Sequence, residues 1–320
     1  MDDRLFQAYP GRDGFPRYTI DIVSPELPCG ASWLANCLIE LGIPAWKPWN
    51  VDDREHWVDL GRYRYRHRLE GSPWSRALPA LVDGREFVFR PGEAVRVHHV
   101  WPTAYPAAQR SILFTRDPRD ALYSAWQRQR RLSTIAPDLG FGAFCASRFH
   151  HYPVSWASYL LVFLRVCLRA IDTFGGQVVR FEDYRGDPAR TLITALDHLG
   201  VDADADAIAG AVDRSSFERV LAADAALTAT GTVPHTLLHG GAPGTGEREV
   251  GRAAADAALT GFEDVLDRFG YRRVDSYTPT HVRPSIAAAM IEAIRVAGVP
   301  VADDGWLADA VRAATRDIVP

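Results

Sequence analysis

Lysine is almost absent. Lys47 is the only one among 36 basic residues, and arginine supplies the rest. No G-x-x-x-x-G-K-[S/T] loop occurs, which argues against a phosphotransferase built on that loop. Cysteine is scarce as well: Cys29, Cys37, Cys145 and Cys167 show neither C-x-x-C nor metal spacing. They read as buried, reduced thiols of a cytoplasmic protein. Long apolar runs are missing; the stretch from Tyr159 to Cys167 is interrupted by Arg165 and is too short to span a bilayer. The start, Met-Asp-Asp-Arg, has no apolar segment of the kind a secretory signal needs. Positive charge is not in excess: the formal net charge is −4. No global field draws in nucleic acid, so any anion site must be built locally. The chain is 47% hydrophobic and 24% charged over 320 residues, which fits a soluble globular protein with one large α/β domain or two small ones.

The periodicity gives an order of elements. Tyr18 to Val23 is a short β-branched run and reads as a strand. Ser24 to Gly30 carries two prolines and a glycine and reads as a loop. Ala31 to Leu41 has apolar residues at helical spacing and stops at Gly42. Strands follow at Ala94 to Val100 and Ser111 to Thr115, then a helix opened by Pro118 and running to about Arg131. A long apolar helix covers Val154 to Phe174, a strand Gln177 to Phe181, and a helix Asp187 to Gly200. Thr228 to Val250 is a Gly/Thr/Pro-rich loop, long enough to be functional. Ala255 to Phe269 is an amphipathic helix. After Pro279 the character changes, with two short helices near Pro284 to Ala297 and Asp304 to Thr315. Strands alternating with helices predict a parallel β-sheet flanked by helices.

Several segments carry groups for binding an anion. Cys29-Gly30-Ala31-Ser32-Trp33 stands between strand and helix, where backbone N–H groups favour a phosphate. Ser32 adds a hydroxyl donor and Trp33 a flat face for adenine; a core tryptophan after an ordinary turn is the alternative. Arg116 to Ser124 reads RDPRDALYS. Arg116 ends a strand and Ser124 lies two turns into the next helix, so both can hold one phosphate. The same residues also read as a charge cluster at a helix start, with Asp120 pairing Arg116. His98 ends a strand after Arg96, with His99 next to it, and by itself reads as a structural histidine. Arg62 to Arg68 alternates arginine with period two. This predicts an edge strand blunted by charge, or a grip for an anion. Trp46, Trp49, Trp74 and Trp101 flank that region and can line an acceptor pocket or serve as core.

RDPRDALYS closely resembles the 3′-phosphate motif of the PAPS-dependent sulfotransferases, where PAPS is 3′-phosphoadenosine-5′-phosphosulfate. Arg96-Val97-His98 resembles the family's basic-x-His strand end. Val179 to Tyr184 with Asp187-Pro188, and Ser215-Ser216-Phe217-Glu218, resemble two further family segments in family order. The likeness covers roughly residues 18 to 271. It implies a sulfotransferase fold of the P-loop-like nucleotide-binding kind. It also implies transfer of a sulfuryl group from PAPS to a hydroxyl of a small-molecule acceptor, leaving PAP, the 3′,5′-bisphosphate. By that match Arg116 and Ser124 hold the 3′-phosphate, and Trp33, Phe181 and Phe217 line the adenine slot. Ser32 and Ser215 donate to phosphate oxygens with the turn at Gly30 and Ala31, and Gly241 and Gly244 offer backbone donors. His98 is the base, with Arg96 beside it. Residues 1–279 form the transferase domain and 280–320 a helical extension packed on it, in a protein that needs no metal and can form a homodimer.

The pattern departs from the family at two places. Where the family has a basic residue two positions before the phosphate-loop glycine, this chain has Pro28. The basic residues of a late R-K-G-x-x-G loop are replaced by His239-Gly240 ahead of Gly241-Ala242-Pro243-Gly244. Proline brings neither charge nor N–H. The cation at the leaving phosphate must then come from Arg96, from Arg62, Arg64, Arg66 or Arg68, or from Arg248. A fold kept for binding rather than turnover is the other reading of Pro28.

Overall fold

The computed structural model describes residues 20–43, 45–50, 55–60, 63–68, 95–98, 110–150, 152–229, 241–271, 284–296, 301, 305–316 and 318. Ile20–Val23 forms β1, and all four of its residues are buried. Six further strands are described: β2 (Ala45–Asn50), β3 (Glu55–Leu60), β4 (Tyr63–Arg68), β5 (Val95–His98), β6 (Ser111–Thr115) and β7 (Gln177–Arg180). They form one sheet in the order β4-β3-β2-β5-β1-β6-β7. From β2 to β7 every neighbouring pair is parallel, whereas β3 pairs antiparallel with both β2 and β4. Parallel pairing demands crossovers, and among the described residues helices supply those from β1 to β2 and from β6 to β7.

Sheet pleating sends alternate residues of each strand to opposite faces, and this separates two apolar layers. Ile20, Ile22, Val95, Val97, Ile112, Phe114 and Val179 share one cluster. Over it lie α1 (Ala31–Glu40), α6 (Pro188–Leu199) and α7 (Ala205–Arg214). Val23 and Leu113 face the other way. There they meet α2 (Pro118–Arg131), α3 (Phe141–Ala146) and the long α4 (Trp156–Phe174), whose Tyr159, Phe163 and Leu164 are buried. Helix starts follow local chemistry. Asp117, Ser155, Asp187 and Asp204 each accept a backbone N–H at a helix N-terminus, and Pro118 and Pro188 stand at the first helical position. Gly200 and Gly270 close α6 and the later helix α11 (Glu263–Phe269) in left-handed conformations.

Four features differ from the sequence expectation. The strand at 177 ends at Arg180, and Phe181–Gly186 turns into a short helix, α5, with Glu182 and Asp183 in its first turn. The segment at 255–269 is two helices, α10 (Arg252–Ala257) and α11 (Glu263–Phe269). They are divided where Gly261 takes φ +92°, which lets both Leu259 and Phe262 enter the core. The long loop is shorter than its composition implied, because α8 (Phe217–Ala229) and α9 (Thr245–Val250) occupy its two ends. Strands β2 and β3 lack a clear period-two signal. β2 contains Pro48, and the register shifts between Pro48 and Asn50, which accommodates a residue without an N–H. The arginine-rich segment does form a strand, and β4 is the last strand of the sheet.

The C-terminal helices α12 (Pro284–Val296) and α13 (Trp306–Ala314) join the core on α4. Met290, Ile294, Leu307 and Val311 belong to the same cluster as Leu161 and Leu164. Arg165, which interrupts the apolar run of α4, fastens this corner. It donates to the carbonyls of Ala314 and Gly261, at 3.0 Å each, and forks onto Asp264 at 2.9 and 3.1 Å. Ile294 is fully buried. Ile294→Ala should therefore lower the unfolding free energy by about 2–5 kcal/mol in urea denaturation, within one cooperative transition.

Candidate nucleotide-binding site

The carboxyl ends of β1, β5 and β6 lie side by side, at the edge where open α/β sheets bind ligands. β1 leaves the sheet at Val23, and the chain reaches α1 through Gly30, whose φ is +91°. A Cβ there would stand 2.7 Å from the Phe181 ring and 3.5 Å from Phe114, so the turn is pressed against the start of α5. Trp33 N–H donates to the Gly30 carbonyl at 2.9 Å, and no side chain caps the helix. Ala31 is buried and Ser32 half-buried. Pro28 is half-buried in this loop.

Arg116, just past the end of β6, is only 5% exposed. Its Nη1 donates to Ser124 Oγ at 2.9 Å, which brings together the two residues assigned to one phosphate. Its guanidinium lies over the Phe181 ring, 4.5 Å from the centroid. Nε is buried without a hydrogen-bond partner. A charged donor left unmet inside a protein is costly, so the group fits an anionic acceptor. The third contact, Nη2 to Asp120 at 3.5 Å, bears out the pairing that the charge-cluster reading anticipated.

Asp120 does more than pair. Its Oδ2 accepts Gly244 N–H at 2.7 Å and its Oδ1 accepts Gly246 N–H at 2.6 Å. The amide of Gly244 is thereby turned inward to a carboxylate, which corrects its assignment as a donor to a ligand. Gly241 is buried. Arg248 donates to the Pro243 carbonyl and to Thr245 Oγ1, both at 2.9 Å. Its guanidinium closes its own loop on the exposed side.

The neighbouring charges are also matched. Arg119 lies between Asp117 and Asp256, at 2.9 and 2.8 Å. Burial pushes the Asp117 carboxyl up, with the Arg119 guanidinium acting against the shift. Glu182 accepts Asp117 N–H at 3.0 Å and the Tyr271 hydroxyl at 2.7 Å; burial drives that phenol well above its usual range. Arg180 forks onto Asp183 and donates to the Phe269 carbonyl at 2.8 Å.

The aromatic residues form a chain. Trp33 stacks on Tyr184 with centroids 4.0 Å apart and planes at 22°. Phe181 meets Tyr184 edge-on. The Arg185 guanidinium lies 5.0 Å from the half-buried Phe217 ring. Trp33 and Phe181 thus converge, on a tyrosine that sequence reasoning passed over, and Phe217 stands further along. Ser215 is placed differently. It caps the C-terminus of α7, is 2% exposed and lies beside the Cys37 thiol. That thiol is pushed up to about 12, chiefly by burial. Its hydroxyl is buried between α1 and α7 without a hydrogen-bond partner.

The register sets His98, the last residue of β5, opposite Val23, immediately before the phosphate-loop segment, and Arg96 opposite Asp21 and Trp46. The side chains of Arg96, His98, Arg64, Arg66 and Arg68 lie outside the described residues, as do His99 and Arg62.

A largely parallel sheet with a buried arginine–serine pair and a glycine turn at its carboxyl edge defines an α/β protein whose candidate site lies at that edge. Residues 98–229 match the family model described as "Sulfotransferase domain". That segment of the chain thus resembles the sulfotransferase family. Among solved structures it is similar to mouse sulfotransferase SULT7A1 complexed with PAP. That match has 16% identity and a TM-score of 0.50 and covers 84% of this chain and 94% of the other. It is also similar to a retinol dehydratase in complex with androsterone and inactive cofactor PAP. Here the identity is 13% and the TM-score 0.50, covering 82% of this chain and 84% of the other. At such identities the likeness is one of fold. No curated protein matches the sequence.

The tight turn yields a direct expectation. Gly30→Ala puts a Cβ into the Phe181 ring and a side chain at φ +91°. The left-handed backbone alone costs about 1–2 kcal/mol. The urea midpoint should fall accordingly.

Proposed function

We propose that this chain transfers a sulfuryl group from PAPS to a hydroxyl of a small molecule, such as a natural product, carbohydrate or lipid. The observation that carries the reading is the Arg116–Ser124 grip, with Arg116 Nε buried and unmet above Phe181. Bound PAPS would supply the activated sulfuryl group. Arg116 and Ser124 would hold its 3′-phosphate, and the turn at Gly30, Ala31 and Ser32 its 5′ end. Trp33 and Phe181 would hold the adenine, with Phe217 closing the slot. His98 would take the proton from the acceptor hydroxyl, with Arg96 beside it. Residues 1–279 would form the transferase domain and 280–320 an accessory element; the burial of Met290 and Leu307 against α4 supports that packing. A cytoplasmic location and a homodimer complete the reading.

Pro28 favours a second reading, a sulfotransferase fold kept for binding nucleotide or a partner. Charge grows on the leaving phosphate as the sulfuryl group departs, and losing a group aimed at developing charge costs about 2.7–4 kcal/mol. The candidate sources of a cation are Arg96, Arg62 with the β4 arginines, and Arg248, which is engaged in its own loop. Calorimetry with PAP and a PAPS turnover assay over a panel of hydroxyl acceptors separate the two readings. PAP binding without turnover selects the second.

Removing one charge-assisted phosphate contact costs about 1.5–3 kcal/mol. Arg116→Ala should weaken PAP binding by that amount, and unchanged affinity would remove the basis of the assignment. General bases contribute about 10²–10⁴-fold in rate. His98→Ala should lose turnover on that scale with PAP affinity retained, while His99→Ala stays milder. The reverse pattern would make His99 the base.

A further inference from the structure

Asp120 places a carboxylate beside the phosphate grip, where a negative charge by itself opposes an anionic ligand. It is 1% exposed, so its charge must be satisfied locally. Two amides from a segment more than 120 residues away do so: Gly244 N–H at 2.7 Å and Gly246 N–H at 2.6 Å. The third contact is the Arg116 guanidinium, 3.5 Å away. The fit is steric as well as electrostatic. A Cβ on Gly246 would stand 2.8 Å from the Arg119 carbonyl oxygen and 3.2 Å from Asp120 Oδ1. The segment therefore lies directly on the first turn of α2, and only glycine allows it.

We infer that Asp120 is a positioning residue for recognition of a 3′-phosphorylated nucleotide. One carboxylate ties the segment from Gly241 to Gly246 onto α2 and holds one end of the Arg116 guanidinium, whose other end is on Ser124. The arginine then meets the 3′-phosphate already oriented, with the glycine segment fixed against its carboxylate partner. Without the tie, binding would have to order both. The inference rests on the reading of the chain as a PAPS-dependent transferase. It carries a sign that simple electrostatics does not. Neutralising Asp120 removes a repulsive charge and on that ground alone would tighten PAP binding; loss of positioning weakens it.

Two variants test this, with PAP and adenosine 5′-monophosphate, which lacks the 3′-phosphate, as calorimetric probes. Asp120→Asn keeps the shape but turns an N–H toward a glycine amide. Gly246→Ala leaves every charge in place and pushes the segment away from Arg119. For each, PAP affinity should fall about ten-fold or more, while that for adenosine 5′-monophosphate changes by less than about two-fold. Without nucleotide, hydrogen exchange at 241–250 should quicken in both variants. Equal losses for the two ligands would mean general damage to the fold and would overturn the inference. PAP affinity that stays or rises in Asp120→Asn would overturn it too. If that variant does not fold, Gly246→Ala decides the matter alone. A wild-type protein that binds neither probe rejects the nucleotide reading, and the inference with it. A wild type that prefers PAP and variants that keep the preference reject the inference alone.

Discussion

Three charged side chains are buried where β6 passes into α2: Arg116, Arg119 and Asp120, none more than 5% exposed. Taking such groups out of water costs several kcal/mol each unless partners replace the lost hydration. The surrounding chain is arranged around that need. Arg119 is held between Asp117 of its own turn and Asp256 of α10. Asp120 is held by two amides at the start of α9. Arg116 reaches Ser124 and the Phe181 ring. Segments remote in the sequence are joined through these contacts, and Arg116 Nε remains buried and unmet.

A second brace stands beside the first. Glu182 bridges Asp117 N–H and the Tyr271 hydroxyl. Arg180 spans Asp183 and the end of α11. Both residues lie in the segment where β7 gives way to α5, and they keep Phe181 beneath Arg116 and against Gly30. The glycine turn, the aromatic floor and the guanidinium thus fix one another, because each fills space the others leave. Preorganisation of this kind spares a ligand the work of ordering its own site.

Pro28 sets the chemistry apart from the binding. The groups proposed to grip the 3′-phosphate are assembled around β6 and α2, whereas the loop that would face the departing sulfuryl group brings neither charge nor N–H at this position. Retaining the first without the second is a departure at the reacting end of the site. That is where a change of acceptor or of function leaves the fold untouched.

Much of the plan was legible locally. Strands β1, β5 and β6, the helices opened by Pro118 and by Asp187-Pro188, and the Arg116–Ser124 partnership follow from residue types a few positions apart. Strand alternation, proline placement and caps are short-range effects. Tertiary structure decided what contacts between remote segments decide. The residues from Val179 to Tyr184 gave no sign that the strand would stop at Arg180, because the turn depends on Phe181 packing under Arg116 and on Gly30. Tyr184 showed no mark of its stacking on Trp33, and Ser215 none of its burial beside Cys37. Gly244 looked like a donor to a ligand. It is instead a partner of Asp120, across a separation of 124 residues, since a buried carboxylate takes whatever donors the fold brings to it, and their identity is not written in the residues beside it.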